Sequence, residues 1–199
     1  SVTRSEIYKS VSFEEATVSD LLHSAKPRKL PKSVRDFLEK KPSPHNRSTE
    51  EEMQSWFNGL MEVSNSAWKG VAAADTHKSP YLGGYMPDIS VFSAADVAEN
   101  AFISKYAYTI LEVKKQKCLS GLADEDRGQL LDYLQVLVQQ QPLRELFALF
   151  VSDGRYFYIM TFDRVNYVFQ EQHTTFSRGF EIFFTMISKK SPYIMTVEE

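Results

Sequence analysis

The run Glu145-Leu146-Phe147-Ala148-Leu149-Phe150-Val151 constrains this chain more than any other segment. It is almost wholly apolar and reads as a strand buried on both faces, in the centre of a sheet covered by helices. An amphipathic helix is expected just before it, over 124–140, with Leu130, Leu131, Leu134, Leu137 and Val138 on its buried side and Pro142 as its stop. A further strand is expected over 106–115. Strand, helix, strand in that order implies a mixed sheet with at least one right-handed crossover.

The remaining elements follow from punctuation. Ser48 or Thr49 suits the N-cap of a helix, with Glu51 or Glu52 three residues on, and Met53, Trp56, Phe57, Leu60 and Met61 recur at helical spacing up to about Asn65. Strands are expected over 71–75 and 86–92, separated by turns at Ser79-Pro80 and Gly83-Gly84. Residues 93–105 read as an excursion. Asp153-Gly154 signals a hairpin between strands at 145–151 and 155–162; a short strand over 166–170 and a helix over 176–188 complete the order. The chain divides at 47. Residues 1–47 form an extension with a basic, proline-punctuated stretch at 26–32 and a short helix over 32–40, while 48–199 hold the α/β domain. The basic stretch is read as a solvated linker, or as a phosphate-contacting arm or localisation signal.

The 199 residues suit one domain with an appendage. No apolar run is long enough to span a membrane. No signal-peptide pattern opens the chain, and a first residue of serine suggests a fragment whose targeting signals lie outside it. The single cysteine, Cys118, rules out an internal disulfide and fits a reducing compartment. A net charge of −3 argues against nucleic-acid binding by bulk charge, though a local basic groove is compatible with it.

Ionisable residues stand where a strand should be apolar. Asp88 opens the run 86–92, and Glu112 and Lys114 interrupt 106–115 while pointing the same way. Buried charges need a partner or a metal. Two carboxylates and the main-chain carbonyl of Val113 suit a hard divalent cation, Mg²⁺ or Mn²⁺, which lowers the pKa of a water and neutralises a phosphate. Lys114 beside that water would stabilise developing charge. Gln129 and Tyr133 share one face of the next helix and are expected above the site.

Pro87-Asp88, Glu112-Val113-Lys114, and Gln129 with Tyr133 resemble the PD-(D/E)XK nuclease superfamily, the Gln-x-x-x-Tyr element being similar to its RecB-like branch. The resemblance implies a restriction-endonuclease-like core and a further acid on the preceding helix, drawn from Glu50, Glu51 or Glu52, with Glu50 favoured. Gln141-Pro142-Leu143-Arg144, Asp153-Gly154-Arg155 and Phe162-Asp163-Arg164 narrow the likeness to the nuclease-like domain of Crinkler-type effectors and fungal-type kinase-associated proteins, over about 48–190. What this implies is a Mg²⁺- or Mn²⁺-dependent endonuclease with DNA favoured over RNA. Glu50, Asp88, Glu112 and Val113 would hold the metal, and Asp88, Glu112, Lys114, Gln129 and Tyr133 would carry the catalysis. It further implies a possible kinase-like domain in the same full-length chain, and an intracellular, nuclear location or delivery into a host cell.

Other readings stand beside this one. The domain could be a nuclease-fold module serving protein binding or regulation of an adjacent kinase-like domain. An RNA endonuclease of cap-snatching type ranks last, because it calls for a histidine ligand and His23, His45, His77 and His173 are all expected in loops or termini. Asp88 alone would read as a turn cap, and Glu112 with Lys114 as a rim salt bridge. Arg144 and Arg164 are read evenly as structural or phosphate-contacting. Trp56 and Trp68 are read as core residues, Cys118 as a bystander, and Lys115, Lys117 and Arg127 as a possible basic rim.

Overall fold

A computed structural model of the chain describes residues 11–22, 26–44, 49–115 and 122–197. Ser48, Lys117, Cys118, His23 and His45 lie outside the described residues.

Seven strands form one mixed sheet. They are β1 (Phe13–Glu15), β2 (Val71–Asp75), β3 (Ile89–Ser93), β4 (Thr109–Val113), β5 (Leu146–Ser152), β6 (Tyr156–Asp163) and β7 (Val168–Thr175), in the spatial order β1-β7-β6-β5-β4-β3-β2. β2, β3 and β4 form an antiparallel meander; β4 and β5 run parallel; β5, β6 and β7 are antiparallel, and β1 lies parallel to β7 at the edge. Among the described residues the helices are α1 (Val18–Leu21), α2 (Lys32–Lys40), α3 (Glu50–Asn65), α4 (Ala94–Ala98), α5 (Asp124–Gln140) and α6 (Phe176–Ser188), with a 3₁₀ turn at Ser104–Tyr106.

Two hydrophobic cores sandwich the sheet, as alternation along each strand requires. On one face α3 and α6 pack Met53, Phe57, Leu60, Phe180 and Phe183 against Val91, Leu111, Phe150 and Ile159. On the other, α5 packs Leu130, Leu134 and Leu137 against Ile110, Phe147, Leu149 and Met160. The expected central strand is the middle of the sheet, buried along six of its seven positions. The crossover through α5 is what makes β5 parallel to β4. The close seating of α6 depends on Gly179: a Cβ there would lie 2.0 Å from the Cβ of Phe157.

Local chemistry sets the helix ends. Thr49 caps α3 through its hydroxyl, which accepts from the N–H of Glu52, and Thr175 caps α6 by accepting from Arg178. Gly154 turns the β5–β6 hairpin at φ +81°.

Four expectations change. The described part of 11–44 is joined to the domain rather than appended to it, because β1 extends the sheet and Leu21, Leu22, Leu30 and Val34 enter the α3/α6 core. The expected strand at 86–92 begins only at Ile89. The last strand runs to Thr175, so His173 sits on β7 and not in a loop. Arg144 and Arg164 lie at the opposite end of the sheet from Glu112. Arg144 is buried and donates to the carbonyls of Leu146, Ala107, Tyr108 and Tyr193 and to Oε1 of Gln141. Arg164 donates to the carbonyls of Val138 and Pro142. Both are structural. Trp68 packs in the core beside Phe184, and Trp56 against Phe57 and Phe176.

Candidate functional site

Register brings the two acids together. Ile89 pairs with Leu111, so Asp88, one residue before, stands opposite Glu112, one residue after. The segment 94–106 leaves and re-enters at the far end of these strands, as α4 and the 3₁₀ turn, and does not come between them. The N–H of Asp88 donates to Oε1 of Glu112 at 2.9 Å, and the N–H of Val113 donates to Oδ2 of Asp88 at 2.8 Å. The carbonyl of Asp88 accepts from the N–H of Thr76 at 3.0 Å and from Nε2 of Gln54 at 3.1 Å. Four hydrogen-bonding groups therefore fix the position of one turn-like residue, and Asp88 is more than a turn cap.

Like charges facing each other across a strand pair are unfavourable, and burial deepens the cost. Glu112 is only 3% exposed. Burial, and then the charge of Asp88, push its pKa up to about 8. Burial likewise raises Asp88, against the pull of the Val113 N–H and the positive charges of Lys114 and His77. At neutral pH the pair therefore resists carrying two negative charges, and Glu112 keeps its proton.

Lys114 completes the group. Its Nζ donates to Oε1 of Gln129 at 2.8 Å, lies 3.3 Å from Asp126 and 4.0 Å from Oε2 of Glu112. Nε2 of Gln129 donates in turn to the hydroxyl of Tyr133 at 2.8 Å, and Tyr85 packs edge-on to the Tyr133 ring. The four-residue spacing on α5 does what helical geometry requires, setting both polar groups over the end of β4.

Glu50 takes a different place. It is exposed on the first turn of α3 and lines a cavity of about 410 Å³ together with Lys114, Lys115, Asp126 and Tyr156. The α3 side chain that touches Asp88 is Gln54, one turn further along the same face. Among the described residues, no three His, Cys, Asp or Glu side chains are grouped to hold a metal ion. Arg127 is not a rim cation, because it pairs with Glu171 at 3.0 Å and with Asp124 at 3.8 Å.

Three participants had weak or no sequence signals. Gln54 is visible only as the residue four after Glu50. Asp126 looks like an ordinary first-turn acid. His77 pairs with Asp75, which Asn58 also holds at 2.8 Å, and its charge reaches Asp88 across the β2–β3 turn.

The class defined so far is an α/β protein with a seven-stranded mixed sheet and an acidic pair, Glu112 buried and Asp88 half-buried, facing across the antiparallel β3–β4 pairing. A family model described as a domain of unknown function, DUF6826, matches residues 50–144. That stretch contains Glu50, Asp88, Glu112, Lys114, Gln129 and Tyr133. Comparison with curated proteins and with solved structures gave no match.

Proposed function

We propose that the protein is a metal-dependent phosphodiesterase of PD-(D/E)XK type acting on nucleic acid, DNA in the first instance. The observation that carries this is the facing of Asp88 and Glu112 across β3 and β4, with Lys114 on the same face of β4 held by Gln129 from α5. The order α3, antiparallel meander β2–β3–β4, crossover α5 and parallel β5 is similar to the restriction-endonuclease-like core. The Crinkler-type likeness stays part of this reading, with its implied kinase-like neighbour and nuclear setting.

The donors fit a hard divalent cation. One buried and one half-buried carboxylate, both with raised pKa values, and the Val113 carbonyl are oxygen donors of the kind that Mg²⁺ or Mn²⁺ takes, completing its set with water and substrate oxygens. A bound ion would supply charge neutralisation at the phosphate and a more acidic water. The chain's own residues do the rest. Asp88 is locked by main-chain bonds and needs no reorganisation. Lys114, braced by Gln129 and Asp126, places an ammonium where negative charge accumulates on a phosphate oxygen. Tyr133 orients Gln129 and so orients Lys114.

A second reading has an observation of its own. Lys114 already spends its donors on Asp126 and Gln129, as a retired lysine in a structural or regulatory module would. Calorimetry with Mn²⁺ and a cleavage assay on labelled DNA separate the two. Heat of Mn²⁺ binding and metal-dependent cleavage, both lost in Asp88→Ala, support the phosphodiesterase. Their absence from a folded wild-type protein overturns it in favour of the module.

A further inference from the structure

The cavity beside Lys114 has an aromatic wall that the acidic pair does not use. In the β6–β7 register Tyr158 stands opposite His173, so Tyr156 is the diagonal neighbour of His173 on the same face. Helix α5 covers that face over Met160, Phe162 and Phe169. It begins only at Asp124, and its first turn forms the cavity rim, so Tyr156 and His173 lie past its end. Their rings stack with centroids 5.3 Å apart and planes 22° from parallel, and His173 is exposed. Tyr156 is half-buried, so the exposed His173 ring, backed by Tyr156, is the π-face that this cavity, large enough for a nucleobase, has to offer.

We propose that Tyr156 and His173 are a stacking platform for a base of single-stranded nucleic acid, seated in the cavity that Lys114 lines next to the acidic pair. This rests on the phosphodiesterase reading and adds its substrate class. Continuity is direct: Val151, which pairs with Glu112 in the sheet, and Lys114 both line the cavity. Lys114 and Lys115 line the same cavity and place cations for the backbone beside the platform.

Charge decides between single strand and duplex. Asp153 accepts the N–H groups of Arg155 and Tyr156, and Asp126 pairs with Lys114, so both are satisfied within the wall. Glu50 and Glu125 add negative charge to the rim. A duplex brings one phosphate for about every 1.7 Å of its axis, twice the density of a single strand, so an acidic rim opposes it more. Base stacking carries no net charge and tolerates any sequence, so it holds a single strand where bulk electrostatics would not.

The test uses the full chain and fluorescein-labelled dT12, with a hairpin duplex of equal nucleotide count, by anisotropy in Ca²⁺. Wild type is expected to prefer dT12. Because one base stacked on an aromatic is typically worth roughly tenfold or more in affinity, His173→Ala and Tyr156→Ala should each weaken dT12 binding by about that factor, and Tyr156→Phe should not. His173 is exposed, so its variant should melt as wild type does, which keeps the test valid if Tyr156→Ala unfolds. Equal affinity for hairpin and dT12, no binding of either, or full affinity in His173→Ala overturns the platform. Mn²⁺ calorimetry runs alongside: protein that takes up Mn²⁺ but fails the dT12 test loses the platform and keeps the phosphodiesterase reading. The reverse result removes only that reading.

Discussion

Asp88 and Glu112 hold each other through the main chain: each carboxylate accepts an N–H from the other's strand, at 2.9 Å and 2.8 Å. The two acids are therefore placed by the ladder itself and not by flexible side-chain packing. Their separation is set by strand pairing, which makes the pair a rigid cradle with an unfavourable charge.

Neutralising one acid should separate function from fold. Glu112→Gln keeps the shape and removes a buried charge, so its melting temperature in EDTA at pH 8 should equal or exceed that of wild type. Its metal-dependent cleavage should fall by about a hundredfold or more, the scale of losing a preorganised electrostatic group. A destabilised Glu112→Gln would mean that the charge is already paired in the folded protein.

The pH dependence has a definite sign. Folded, Glu112 releases its proton near pH 8, against an ordinary value of 4.5. Between those values the folded state holds a proton that the unfolded chain has lost, so the contribution of Glu112 to stability is fully present below about pH 4.5 and is lost as pH rises through 8. Melting in EDTA at pH 5, 6.5 and 8 should show this decline. It should be shallower in Glu112→Gln, and Mn²⁺ should stabilise wild type more at pH 8 than at pH 6.

Gln129→Ala removes the oxygen that holds Nζ of Lys114. A misplacement of about 1 Å at such a group costs up to about a hundredfold. The loss should fall on kcat, with Mn²⁺ affinity unchanged because the carboxylates keep their own bonds. A change in KM alone would count against a role for Gln129 in placing the lysine.

Far from the site, Gly179→Ala and Arg144→Lys should be costly for stability alone. The alanine Cβ would meet Phe157 at 2.0 Å, so α6 must lift from the sheet, a strain of about 1–3 kcal/mol or more. Lysine cannot reproduce the fork that serves four carbonyls and Gln141, and a loss of about 3 kcal/mol is expected. Denaturant melts would show both, while Mn²⁺ binding by the folded fraction stays as in wild type.

Much of this fold was legible because its elements have strong periods and strong stops. The helices at 32–40, 124–140 and 176–188 and the strand at 71–75 lie where periodicity and Pro, Gly or cap residues put them. Asp88, Glu112 and Lys114 were legible because charge in an apolar strand is anomalous. Less visible was whatever depends on register or on distant chain. His173 looked like a loop residue because the polar alternation of β7 after Gln170 gives no apolar signal. Arg144 offered no hint that its partners would be carbonyls from three separate segments. Gln54 as the partner of the Asp88 carbonyl was not legible, because helix phase at the end of a sheet cannot be read from one helix alone.

The pairing of Phe13–Glu15 with Phe169–Glu171 sets an order of assembly. Edge strand β1 has no partner until β7 exists, so the closing contact of the sheet spans most of the chain and waits for β5 to β7 to meet first. A nascent or clipped chain ending before Val168 would present β6 as an open, largely apolar edge with its intended cover strand unmade. Such fragments, more than the intact protein, are where self-association should begin.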